Sequence, residues 1–154
     1  MNSSQLKDQQ IIRELLQDAR QSNVAIAEKL GMSEGAVRRR IDRLVGDGII
    51  NFTVMAKPDY MGYHIHVLIR VETEPEVTEE VIEALSAMSE LSYVYHCTGQ
   101  FNLTLVGYFR DVEDLHSFTS NQLSKTAGIV SFRTVMVLRV AKRSQLLPPI
   151  NDDE

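Results

Sequence analysis

Arg38, Arg39, Arg40 and Arg43 form the densest run of positive charge in the chain, and Asp42 is the one acid among them. A guanidinium is a flat fork of N–H donors. It matches the O6 and N7 acceptors of guanine, and it grips phosphate oxygens equally well. The chemistry suggested is recognition of nucleic acid. The plainer alternative is a helix with a solvated basic face. The run is denser than solvation alone needs.

The arginines depend on the elements that present them. Residues 22–50 read SNVAIAEKLGMSEGAVRRRIDRLVGDGII. Ser22 or Asn23 can cap a first helix, because a side-chain oxygen satisfies N–H groups that the first turn leaves orphaned. Val24, Ala27 and Leu30 recur as a buried stripe, with Ile26 beside them. Gly31 falls where a helix stops in a left-handed residue. Met32 follows as a turn residue, and Ser33 can cap a second helix. There Val37, Ile41, Leu44 and Val45 make one apolar face. Gly35, Arg39 and Arg43 project from the opposite side, and Arg38 and Arg40 flank it. Gly46 and Gly48 end the helix. Ile49, Ile50, Phe52 and Val54 predict a short strand leaving it. Two short helices joined by a tight turn form the geometry that lays the second helix in a DNA major groove.

Composition sets outer limits. A length of 154 residues with 44% apolar side chains can build a core but leaves room for two small domains at most. No apolar run approaches the ~20 residues needed to span a bilayer. The opening MNSSQLKDQQ lacks a signal-peptide pattern. One cysteine, Cys97, excludes an internal disulfide framework and fits a reducing cytoplasm. The net charge of −5 is unevenly spread: residues 1–60 carry +1 and residues 61–154 carry −6. The pattern is a neutral-to-basic head on an acidic body, which limits indiscriminate attraction to DNA.

The chain divides at Pro58 and Gly62. The head, 1–56, holds a further helix over Lys7–Asp18 with Ile11, Ile12, Leu15 and Leu16 as its stripe, making a helix-turn-helix domain that the short strand would wing. Residues 57–62 are a linker. The body, 63–143, changes to period two: Ile65, Val67, Ile69 and Val71 alternate with His64, His66, Leu68 and Arg70. Pro75 opens a helix carrying Val77, Val81, Leu85 and Met88. Strands are predicted at Ser92–Thr98 and Phe101–Phe109, joined at Gly99–Gln100. Asp111 caps a helix with Val112, Leu115 and Phe118. Gly128 precedes a last strand, Ile129–Val140. The order βαββαβ is the ferredoxin-like arrangement, and the fold class is α+β. Two helices cover one face of such a sheet, so the other needs a partner, and a homodimer is the economical one. Residues 144–154 read as a flexible acidic tail.

Other constellations carry less. His64 and His66 share a strand face, and His96 and Cys97 point to opposite sides of another, so no metal site is expected. Glu74, Glu76, Glu79, Glu80 and Glu83 fit a solvated helix face. The chain shows no nucleophile–base pair and no phosphate loop. The expectation is a protein without cofactor or enzymatic activity.

The chain also resembles the Lrp/AsnC, or feast/famine, family of transcriptional regulators over roughly residues 6–143. Asp8, Ile11, Ile12, Leu15 and Asp18–Arg20 resemble the family's opening helix. The run at 26–50 resembles its helix-turn-helix. TGQFNLTLVGYFRDVEDL at 98–115, with Gly128–Val130, resembles its effector module. The resemblance implies a cytoplasmic, sequence-specific regulator bound to double-stranded DNA. It implies homodimers assembling to tetramers or octamers, and a small-molecule effector, often an amino acid, between dimers. Ser33, Glu34, Gly35, Arg38 and Arg39 then match the part that reaches base edges. Arg40 and Arg43 match arginines that touch phosphate or brace the helix, and Ser22 and Asn23 lie where phosphate is approached. Thr98, Gly99, Gln100 and Asn102 match the effector-binding turn. The family commonly has an acid where Asn102 stands, and an amide offers an ammonium group only neutral hydrogen bonds. The competing reading is an architectural DNA-binding protein without an effector.

Overall fold

The computed structural model describes residues 3–142. The expected tail, 144–154, lies outside them. The described residues form two compact units, which part between Val54 and Met55.

The first unit has three helices: α1 Ser3–Gln17, α2 Asn23–Leu30 and α3 Glu34–Gly46. Helix α1 starts four residues before the expected Lys7 and ends one before Asp18. Ile11, Ile26, Ala27 and Val37 form its core, with Leu15, Leu30, Met32 and Ile41 packed against them. Each helix contributes one apolar face, which is what lets so small a unit close. The stripe expected on α2 is rotated, because Ile26 is buried whereas Val24 is 53% exposed. Ser22 is the cap, which places Val24 in the first turn, and the inward face becomes 26, 27 and 30. On α3, Val37 and Leu44 are buried, while Val45 is exposed.

The strand expected at 49–54 does not form: residues 50–57 carry no ladder. A strand needs a neighbour to take its backbone N–H and C=O groups, and among the described residues the head offers none. Phe52, Val54 and Met55 are left exposed.

The second unit contains β1 Ile65–Thr73, α4 Thr78–Ser86, β2 Leu91–His96, β3 Leu103–Phe109, α5 Val112–Asn121 and β4 Ile129–Met136. The sheet order is β2-β3-β1-β4, antiparallel throughout. This is the ferredoxin-like α+β arrangement. Pro75–Val77 forms a single 3-10 turn before α4, so the helix itself starts later than Pro75. Strand β4 stops at Met136 instead of Val140: Met136 pairs with Val67, and one further bond, Val137 N–H to the His66 carbonyl at 2.8 Å, lies near the start of β1.

The core lies on one sheet face. Val67, Ile69, Val71, Leu103, Leu105 and Phe109 meet Val81 and Leu85 of α4 and Leu115 and Phe118 of α5. Gly107 leaves room for the Phe109 ring, which tilts on Phe118 with centroids 5.2 Å apart. The other face is open. Across it runs a row from neighbouring strands, Tyr93–Val106–Leu68–Val135, and beside it a second, Tyr95–Thr104–Arg70–Arg133. Tyr93, Tyr95 and Val135 are each more than 45% exposed.

Candidate nucleic-acid interface and ligand turn

Helix α3 is held at its start, along its length and at its rear. Ser33 Oγ accepts the Ala36 N–H at 3.3 Å, and Ser22 Oγ accepts the Ala25 N–H at 3.1 Å. Gly31 ends α2 in the left-handed region, φ 61°. These are the turn contacts that the spacing of serine and glycine predicts.

The arginines divide into two pairs. Arg40 donates to Asp8 Oδ1 at 2.7 Å and also to the carbonyl and Oγ of Ser4 at 3.1 Å. Arg43 donates to the other oxygen of the same carboxylate. Asp8 is thus a clamp that joins α3 to α1, and its side chain is only 14% exposed. Asp8 was legible as part of the opening helix but not as this counter-ion, because the partners lie more than thirty positions apart.

Arg38 and Arg39 point the other way. Both are exposed. Arg38 makes only a long i,i+4 contact with Glu34, 3.7 Å, and such surface pairs contribute little. Arg39 folds back over Gly35, its Nη1 3.4 Å from where a Cβ would stand there. Among the described residues Arg39 has no ion pair. Ser33, Glu34, Gly35, Arg38 and Arg39 therefore share the start of α3, with Glu34, Arg38 and Arg39 exposed to solvent. Ser22 is spent as a cap, and Asn23 opens α2.

The turn between β2 and β3 spans 97–102. The Cys97 N–H donates to the Asn102 carbonyl at 2.7 Å, and Gly99 takes φ 105°, which a side chain would resist. Thr98, Gly99 and Gln100 are exposed. Asn102, expected with them at a ligand, turns inward instead. Its Oδ1 accepts the Thr73 N–H at 3.0 Å, and its Nδ2 donates to Thr73 Oγ1 at 2.7 Å and Thr78 Oγ1 at 3.4 Å. The two threonine hydroxyls are themselves 2.7 Å apart and buried. The amide is a cross-brace between β1, the start of α4 and the turn. Asn102→Ala is expected to cost about 1–2 kcal/mol of stability, the usual loss when buried polar groups lose a partner. Chemical denaturation checks this, and wild-type stability would show that water replaces the amide without loss.

At the opposite end of the sheet opens a cavity of about 580 Å³, lined by Met61, Tyr63, Glu90, Tyr108, Arg110 and Asp114 among others. The bidentate bond to Asp114, with N–O distances of 3.2 Å, holds the Arg110 guanidinium above its ordinary pKa. The same bond and the Arg110 N–H hold Asp114 below the usual carboxylate range. Glu90 is also held low, chiefly by the Gln122 amide at 2.8 Å. Arg110 and Asp114 thus satisfy one another, and Glu90 is held by a neutral amide. His64 lies 3.8 Å from Asp59, and His66 stacks on Tyr108. Among the described residues no three His, Cys, Asp or Glu side chains gather to hold a metal ion. No helix of the described residues is long and apolar enough to cross a membrane.

Residues 66–147 match the family model of the Lrp/AsnC ligand binding domain, and residues 5–51 match a model of winged helix-turn-helix DNA-binding domains. The chain is 34% identical to the HTH-type transcriptional regulator LrpA of Pyrococcus horikoshii over 88% of its own length and 97% of that protein's. Its fold is similar to that of E. coli AsnC, with TM-score 0.82 and 21% identity over 92% of this chain and 97% of that one. A transcriptional regulator of Neisseria meningitidis, solved as its complex with L-Met, superposes with TM-score 0.83 and 21% identity, covering 96% of each chain.

Proposed function

The chain belongs to the Lrp/AsnC family and is a transcriptional regulator with a DNA-binding helix-turn-helix and a ligand-binding domain, and from this premise we propose how its residues divide the work. Arg38 and Arg39 read base edges in the major groove, with Ser33, Glu34 and Gly35 at the helix entry. Arg40 and Arg43 hold α3 on α1 through Asp8 and reach phosphate only secondarily. Ser22 and Asn23 approach the backbone from the start of α2. The observation that carries this reading is the split of the arginines: one pair is tied to Asp8 and the other is exposed to solvent.

The open sheet face meets the same face of a second copy, and such dimers build larger assemblies. A small molecule binds at the exposed turn Thr98–Gln100 between dimers, while Asn102 sets the turn's shape from within. The effector alters DNA occupancy by the difference in its affinity for the two arrangements, and by nothing else. The protein acts inside the cell, where its one cysteine stays reduced.

The test is a gel-shift with DNA upstream of the protein's own gene, competed with random DNA, with and without pooled amino acids. Selective binding is expected. Arg39→Ala is expected to lose about 1–3 kcal/mol of discrimination at one base position, the worth of a bidentate contact. Equal competition by random DNA, with a steep salt slope, would favour the architectural reading instead.

A further inference from the structure

Arg70 and Arg133 stand directly opposite each other on β1 and β4, and both are exposed on the open sheet face. Like charges placed so repel and weaken the ladder. Both guanidinium carbons approach Phe101, 5.2 and 5.3 Å from its ring centroid. Both distances are within reach of a cation–π attraction, so one ring attracts both cations. Among the described residues neither guanidinium has an ion pair. Among the described residues the one carboxylate on the strands of this face is Glu72, and it is already engaged: Ser131 Oγ donates to its Oε2 at 2.7 Å, and Gln100 donates to the same oxygen at 3.4 Å. An acidic chain has therefore gathered two uncompensated positive forks beside the exposed turn.

We infer that Arg70, Phe101 and Arg133 form the receptor for a small dicarboxylate, whose binding favours the assembled form. Each fork donates two parallel hydrogen bonds to one carboxylate, and a dianion cancels the charge of the pair. The Phe101 ring gives the ligand's carbon chain an apolar wall. Covering this face with a second copy would bury four arginines, which is unfavourable while they lack counter-ions. A bound dianion removes that penalty, and by reciprocity assembly tightens the dianion's binding. The inference goes beyond the ligand-binding reading above and rests on its sheet-face dimer: it adds a dianion site on that face, beside the turn.

The experiment titrates succinate into the full chain at constant ionic strength. It follows melting temperature and sedimentation, with acetate and methionine as control ligands. A saturable rise in both readings at millimolar succinate is expected, with acetate much weaker. Arg70→Gln and Arg133→Gln should each weaken the response about tenfold or more through loss of a fork. Phe101→Leu should weaken it less. No saturable response to succinate, or an unchanged response in the double arginine variant, overturns the inference. So does a Glu72→Gln variant that fails to assemble with or without succinate, because the counter-ion is then the partner copy's carboxylate. DNA selectivity is measured in the same preparations: selective binding without a succinate response sinks this inference alone, and loss of selectivity in the wild type sinks the reading beneath it.

Discussion

Gly128→Ala is expected to destabilise the C-terminal unit by about 2–5 kcal/mol. A positive φ in an alanine costs roughly 1–2 kcal/mol, and overpacking a filled core adds about 1–3. Both apply here. Gly128 has φ +86°, and a Cβ would stand 2.5 Å from Val77 Cγ2 and 2.9 Å from Val81 Cγ2. Relief by backbone movement is restricted, because the Gly128 carbonyl accepts the Glu74 N–H at 2.9 Å and so ties the start of β4 to the approach of α4. Gly62→Ala is the reference. Its φ is +84°, but nothing lies within 4 Å of the new methyl, so it reports the backbone part alone. Urea unfolding of the two variants separates the terms. Equal losses would mean that Val77 and Val81 give way without cost.

Asp8→Ala should cost the head about 2–3 kcal/mol, less than the ~3–5 kcal/mol of a fully buried broken pair, because the Arg43 side chain is 48% exposed and can hydrate. Arg40, 23% exposed, keeps only Ser4 as a partner. DNA affinity should fall with stability, since the clamp fixes the angle of α3. Arg43→Ala should cost less than Asp8→Ala. Melting of the full chain and a parallel gel-shift test both effects. If Asp8→Ala melts like the wild type, the clamp is a surface pair of little worth.

Period and capping residues made much of this legible. The alternation from Ile65 to Val71 placed β1, and Ser22, Gly31 and Ser33 placed the helix-turn-helix, because each signal is local to the backbone it governs. What stayed hidden depends on phase or on distant partners. Whether Val24 or Ile26 faces inward turns on which residue caps α2, and Ser22 and Asn23 were equally able to do so. The apolar run at 49–54 looks like a strand, but among the described residues no partner strand pairs with it. The turn toward the core made by Asn102 requires Thr73 and Thr78 to be beside it. The facing of Arg70 and Arg133 is a matter of register between strands about sixty residues apart.

The sheet order also bears on how the protein is made. Strand β1 is central, yet its neighbours β3 and β4 are both translated later, and β4 comes last of all. The three-helix head relies on contacts close in sequence and can close while the ribosome is still working. The body cannot, because until Ile129–Met136 emerges one whole side of β1 is an unsatisfied edge. Nascent chains halted before residue 129 are therefore the species expected to need a chaperone.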